Sequence, residues 1–89
     1  MPYKRVYVKT EVCFSKDGKM RPRRIIWENG DTYDIDRVGE IRPAASLKAG
    51  GQGDRYLIYI KGLPRYLFFE RSEALSGATL GRWFVEGKA

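Results

Sequence analysis

From residue 3 to residue 14 apolar and polar side chains alternate. Val6, Val8, Val12 and Phe14 share one parity with Thr10, while Arg5, Tyr7, Lys9, Glu11 and Cys13 occupy the other. A period of two predicts a β-strand with one face buried, because successive side chains point to opposite faces. Ser15-Lys16-Asp17-Gly18 ends that strand, since Asp tolerates turn geometry and Gly takes positive φ without steric cost. Residues 23–38, RRIIWENGDTYDIDRV, predict a hairpin in which Ile25-Ile26-Trp27 and the alternating Tyr33-x-Ile35 flank Asn29-Gly30. After Ile35 the apolar spacing widens from two to three, at Val38 and Ile41, which predicts a bulge or bend near residues 36–39 where the strand curves or stops.

Pro43 disfavours helix at Arg42, and residues 43–53 read as a connection holding at most one short helical turn near 44–48. RYLIYI, residues 55–60, and PRYLFFE, residues 64–70, are joined across Lys61-Gly62 as a second hairpin, apolar on both faces. A polar, small-residue loop leads to a last short strand at Trp83-Phe84-Val85 between Gly81 and Gly87. No longer segment has helical periodicity, and there is no internal repeat. Six short strands in 89 residues predict a single all-β domain, residues 1–89, built as a small six-stranded SH3-like barrel or curled antiparallel sheet.

Composition changes this picture only in detail. Apolar residues make up 43% of the chain and aromatics 13%, enough for one core and too many for a disordered segment. Cys13 is the only cysteine, so no intramolecular disulfide staples the fold. The first residues lack the apolar core of a secretory signal and no run is long enough to cross a membrane, so a cytoplasmic setting is expected. The net charge of +6 is uneven: +5 over residues 1–30, −2 over 31–47 and +3 over 48–89. The basic front of the chain would attract polyanions.

There is no histidine, which removes the commonest general base, the Ser-His and Cys-His nucleophile pairs, and most zinc sites. No metal or other cofactor is expected, and the chain reads as non-catalytic. Asp34 and Asp36, two apart, would share a strand face and with Asp31 or Glu40 could surround a hard cation or act as paired acid and base; the favoured reading is that they solvate the outer face of a hairpin and offset nearby arginines. Lys48 beside Gly50, Gly51 and Gly53 makes a candidate anion-binding loop, although no Gly-Lys-Ser/Thr follows and a flexible connection accounts for the same residues. Cys13 falls on the polar face of its strand, with nothing beside it in sequence to activate the thiol.

Lys16, Lys19, Arg21, Arg23 and Arg24 place five cations in nine positions, a pattern suited to phosphate contacts. Tyr59, Tyr66 and Trp83 are the rings expected to be left outside so small a barrel, where nucleic-acid bases stack on them. The alternative for these residues is a solvated loop and a set of core rings. The segments RRIIWENGDTYDIDRV, RYLIYI and GRWFVE, in this order and over about a third of the chain, resemble short bacterial all-β proteins without an assigned activity. Some of those are associated with translesion DNA polymerases, so the resemblance implies a DNA-repair setting and carries no site. DNA or RNA is the expected partner, reached by a non-catalytic binding module. The alternatives are an SH3-like module that binds a protein and, last, a small carboxylate-dependent metal enzyme.

Overall fold

A computed structural model of the chain describes residues 3–44, 53–72, 77 and 79–88. Seven strands run in chain order: β1 (Tyr3–Phe14), β2 (Met20–Ile26), β3 (Thr32–Asp34), β4 (Arg37–Pro43), β5 (Gly53–Ile60), β6 (Leu63–Arg71) and β7 (Gly81–Lys88). They form one antiparallel sheet in the order β3-β2-β1-β7-β6-β5-β4. The expected all-β fold is present as a curled half-barrel, with seven strands where the spacing of apolar residues predicts six. No helix among the described residues is long and apolar enough to cross a membrane.

The extra strand arises where the sequence predicts a bend. β3 and β4 lie at opposite ends of the sheet order, yet only Ile35 and Asp36 separate them. Ile35 N–H donates to the Arg23 carbonyl of β2, and Asp36 N–H donates to the Tyr59 carbonyl of β5. One continuous stretch of chain therefore changes partner between neighbouring residues, and the sheet curls until its two edges meet at this seam. The spacing of three between Val38 and Ile41 corresponds to an extra residue in β4, since Val38 pairs with Ile58 and Ile41 with Tyr56. A matching irregularity in β2 lets both Pro22 and Ile25 point inward: Glu11 pairs with Arg24 and Val12 with Pro22, leaving Arg23 as the inserted residue. Pro is tolerated in a strand at such a site because no ladder donor is needed there.

Three tight hairpins use two turn chemistries. At Ser15 to Lys19 and again at Trp27 to Asp31, a three-residue loop ends on a glycine of positive φ, Gly18 and Gly30. The Asn29-Gly30 hairpin is thus where the sequence places it, but only Gly30 takes the left-handed conformation. Asn29 instead accepts the Asp31 N–H through Oδ1 at 3.0 Å. Lys61-Gly62 is a two-residue turn with both φ values positive, 52° and 78°, which matches the twist of the strands it joins. The helical turn considered near residues 44–48 lies, apart from Ala44, outside the described residues.

The concave side of the sheet holds the core: Ile25, Tyr56, Ile58, Leu67, Phe69 and Trp83, with Val8, Val12, Val38 and Val85 among the side chains packed against them. Phe69 and Tyr56 flank the Trp83 ring, with centroids 4.8 and 5.0 Å away. The alternation in β1 holds through Val6, Val8, Thr10 and Val12, all half-buried. Phe14, at the strand's end, is exposed.

Candidate nucleic-acid interface

The sheet's other face is set by the same period of two. With Tyr56, Ile58, Leu67, Phe69 and Trp83 inward, Arg55, Leu57, Tyr59, Tyr66, Phe68, Arg82 and Phe84 must point outward, joined across β1 by Arg5 and Tyr7. This is why β5 and β6 read as apolar on both faces: the convex face carries its own aromatic layer. Tyr7 pairs with Phe84 and Phe84 with Phe68, so three rings lie in one cross-strand row. Phe68 and Phe84 stack at 5.0 Å and 6° between planes, while Tyr7 meets Phe84 edge-on at 5.7 Å. Phe84 is only 7% exposed although it lies outside the core cluster, because its neighbours on the convex face cover it.

Four arginines lie over rings on this face. Arg5 covers Phe84 at 4.9 Å, Arg82 covers Tyr7 at 4.0 Å, Arg55 covers Tyr66 at 4.6 Å and Arg37 covers Tyr59 at 3.8 Å from the ring centroid. Cation–π contacts of this kind occur about once per 70–80 residues, so four on one face of so short a chain is a concentration. The pairs differ in their charge balance. Arg5 and Arg82 share the Glu70 carboxylate, at 2.6 and 2.8 Å, and Tyr7 OH also donates to it at 3.1 Å. Arg37 and Arg55 make no ion pair among the described residues.

Glu70 therefore organises one end of the face. Its partial burial pushes the carboxyl pKa up, but the hydrogen bonds from Arg82 and Tyr7 and the charges of Arg82 and Arg5 outweigh that and hold it below the usual carboxylate range. A carboxylate whose pKa falls on folding contributes stability that is complete above its unfolded value, about 4.3, and is lost as pH drops below that toward the folded value. Glu70→Gln is expected to cost about 1–2 kcal/mol at neutral pH and to flatten the acid limb of a stability-versus-pH curve measured by urea unfolding. An unchanged acid limb would show that the carboxylate does not bind this face together.

Where β1 leaves β7, the sheet opens. Val8 is the last residue of β1 paired with β7, opposite Trp83, and Lys9 is the first paired with β2, opposite Ile26. The divergence leaves an open cleft of about 390 Å³ whose walls include Tyr7, Lys9, Thr10, Gly81 and Arg82. Gly81 lacks a side chain for a local reason: a Cβ there would collide with the Glu70 carbonyl and the Phe69 ring.

The residues singled out in the sequence divide among several places. Tyr66, 50% exposed, and Tyr59, half-buried, both lie on the convex face, each under an arginine. Trp83 does not join them: at 7% exposure it belongs to the core, packed against Tyr56 and Phe69, and it reaches the surface at the wall of the cleft between β1 and β7. Lys16, Lys19, Arg21 and Arg23 are exposed on the β1–β2 hairpin and β2. Arg24 is taken up by Asp34 at 2.7 Å and Glu11 at 3.7 Å. In the sheet order the basic hairpin and the rings of β5 and β6 are separated by β1 and β7. They approach each other across the seam, which brings the Arg23 backbone beside that of Tyr59.

The remaining candidates have local explanations. Asp34 and Asp36 do not share a strand face, since the chain changes partner between them; Asp34 holds Arg24, and Asp36 accepts the Gly62 N–H at 2.8 Å. Glu40 is paired with Arg42 and Asp31 with Asn29. No group of three His, Cys, Asp or Glu side chains among the described residues is placed to hold a metal. Of the glycine-rich loop, Lys48, Gly50 and Gly51 lie outside the described residues. Gly53 opens β5 where its backbone runs against the Phe69 carbonyl, leaving no space for a Cβ.

Beyond Tyr59 and Tyr66, the sequence does not announce the convex face, because Arg37, Arg55, Arg82 and Tyr7 sit on four different strands. Only the double-sided apolar pattern of residues 55–60 and 64–70 hinted at it. No protein-family model, curated protein or solved structure matches the chain.

Proposed function

We propose that this domain is a non-catalytic nucleic-acid-binding module whose contact surface is the convex face of β1, β7, β6, β5 and β4. The observation that carries this reading is the pairing of surface tyrosines with arginines on that one face. Arginine supplies phosphate neutralisation and tyrosine supplies a plane for a base, the two ingredients of sequence-tolerant nucleic-acid binding. Magnitudes favour exchange of the internal contact for the external one. An exposed cation–π contact is worth about 0.5–1 kcal/mol, while a stacked base contributes about 1–3 kcal/mol. A base that takes the ring also frees the guanidinium for the next phosphate. Lys16, Lys19, Arg21 and Arg23 extend the positive field beyond this face and attract the polyanion without stacking on it.

The resemblance to bacterial proteins associated with translesion polymerases makes DNA the first probe. The test is fluorescence anisotropy with labelled DNA and RNA oligonucleotides across a salt series. Binding that weakens linearly on a log–log salt plot is expected; no binding even at about 50 mM salt overturns the reading. Capture of one protein partner that survives nuclease treatment, with no oligonucleotide binding, would establish the SH3-like protein-interaction role instead.

A further inference from the structure

Resting on that reading, we infer that the ligand is an unpaired nucleic-acid strand that crosses the sheet along Tyr7, Tyr66 and Tyr59 and seats one end in the cleft between β1 and β7. The three tyrosines follow a diagonal. Tyr7 begins the row that runs through Phe84 to Phe68, Tyr66 stands two residues from Phe68 on the same strand, and Tyr59 stands on β5 two residues beyond Leu57, the partner of Tyr66. With strands about 4.8 Å apart and two residues spanning about 6.7 Å, the path is about 20 Å long. Each tyrosine carries its own arginine, Arg82, Arg55 and Arg37 in that order, so ring and cation recur along the path.

The rings select the unpaired state. In a duplex the bases are stacked on one another and offer their edges in the grooves, so a flat tyrosine finds phosphates nearby but no base plane. A single strand can splay its bases onto the rings while its phosphates meet the arginines. A surface built for duplex alone would need only the cations.

The cleft supplies an end to the track. Tyr7 and Lys9 are two apart on β1 and so project to the same side, with Arg82 across the opening from them. Arg82 is fixed by Glu70, whereas Lys9 is exposed and makes no ion pair among the described residues. One anchored and one free cation beside a tyrosine 37% exposed suit a phosphate with its base. The opposite end of the path reaches Arg37 and the seam, so the track spans the face between two fixed structural features.

Labelled oligo-dT and oligo-rU of about two to ten nucleotides, and a blunt duplex, are titrated with the intact domain at about 50 mM salt. The inference requires single strands to bind at least about tenfold tighter than duplex, with affinity rising to about four nucleotides and then levelling. Lys9→Glu, at an exposed site, is expected to lower single-strand affinity about tenfold, and Tyr66→Ala to abolish the preference over duplex, each still folded and melting within about 10 °C of the parent. Equal affinity for strand and duplex, or Lys9→Glu with parental affinity, overturns this inference while leaving nucleic-acid binding in place. No binding to any probe overturns both. Different affinities for dT and rU, each above duplex, support the track and show which of the two strands it takes more tightly.

Discussion

Trp83→Ala is expected to destabilise the domain by about 3–5 kcal/mol and to lower its melting temperature by about 15 °C or more. The Trp83 ring fills the centre of the concave side between Tyr56 and Phe69, and its backbone is paired with both Val8 and Phe69. Removing it opens a cavity that three strands would have to collapse to fill. A domain of this size has a total stability near the low end of about 5–15 kcal/mol, so the loss takes most of what is available. Circular dichroism melts check it, with Trp83→Phe as the milder companion that keeps a ring in place. A Trp83→Ala protein that melts within a few degrees of the parent yet fails to bind oligonucleotides would restore Trp83 as a stacking residue and contradict its burial.

The misplacement of Trp83 shows what one sequence leaves undetermined. In β1 the phase of the alternation is legible because Arg5, Lys9 and Glu11 mark the solvent side. In Trp83-Phe84-Val85 every residue is apolar, so period two is visible but which parity faces the core is not. Register decides it: pairing with Val8 and Phe69 turns Trp83 inward and Phe84 outward. The hairpins were legible because turn residues act locally, and Gly18, Gly30 and Gly62 each sit where positive φ is needed. The extra strand, β4, is hidden by its own polarity, since Arg37, Gly39, Glu40 and Arg42 give it no apolar alternation. The candidate site was the least legible part. Arg5 and Glu70 are 65 residues apart in sequence, and no local pattern announces that β6 will bring them together.

The competing claims of the basic hairpin and the ringed face can be separated by two variants. Arg37→Ala/Arg55→Ala removes the two arginines that have rings beneath them and no acidic partner among the described residues. If each neutralises one phosphate of a single strand, the slope of log affinity against log salt should fall by about 1.4, and affinity at about 50 mM salt should drop about tenfold or more. Stability should fall by no more than about 1–2 kcal/mol, because each of the two exposed cation–π contacts contributes only about 0.5–1 kcal/mol. Lys16→Ala/Lys19→Ala/Arg21→Ala acts on a field rather than on contacts, so it should slow association and leave dissociation and the preference for single strands unchanged. Stopped-flow traces and equilibrium titrations on both variants supply the comparison. If the hairpin variant loses slope and dissociates faster while the double-arginine variant binds as the parent does, the contact surface is the hairpin of β1 and β2. The arginines over Tyr59 and Tyr66 are then no more than the fold's own cover for aromatic rings that the concave core has no room to hold.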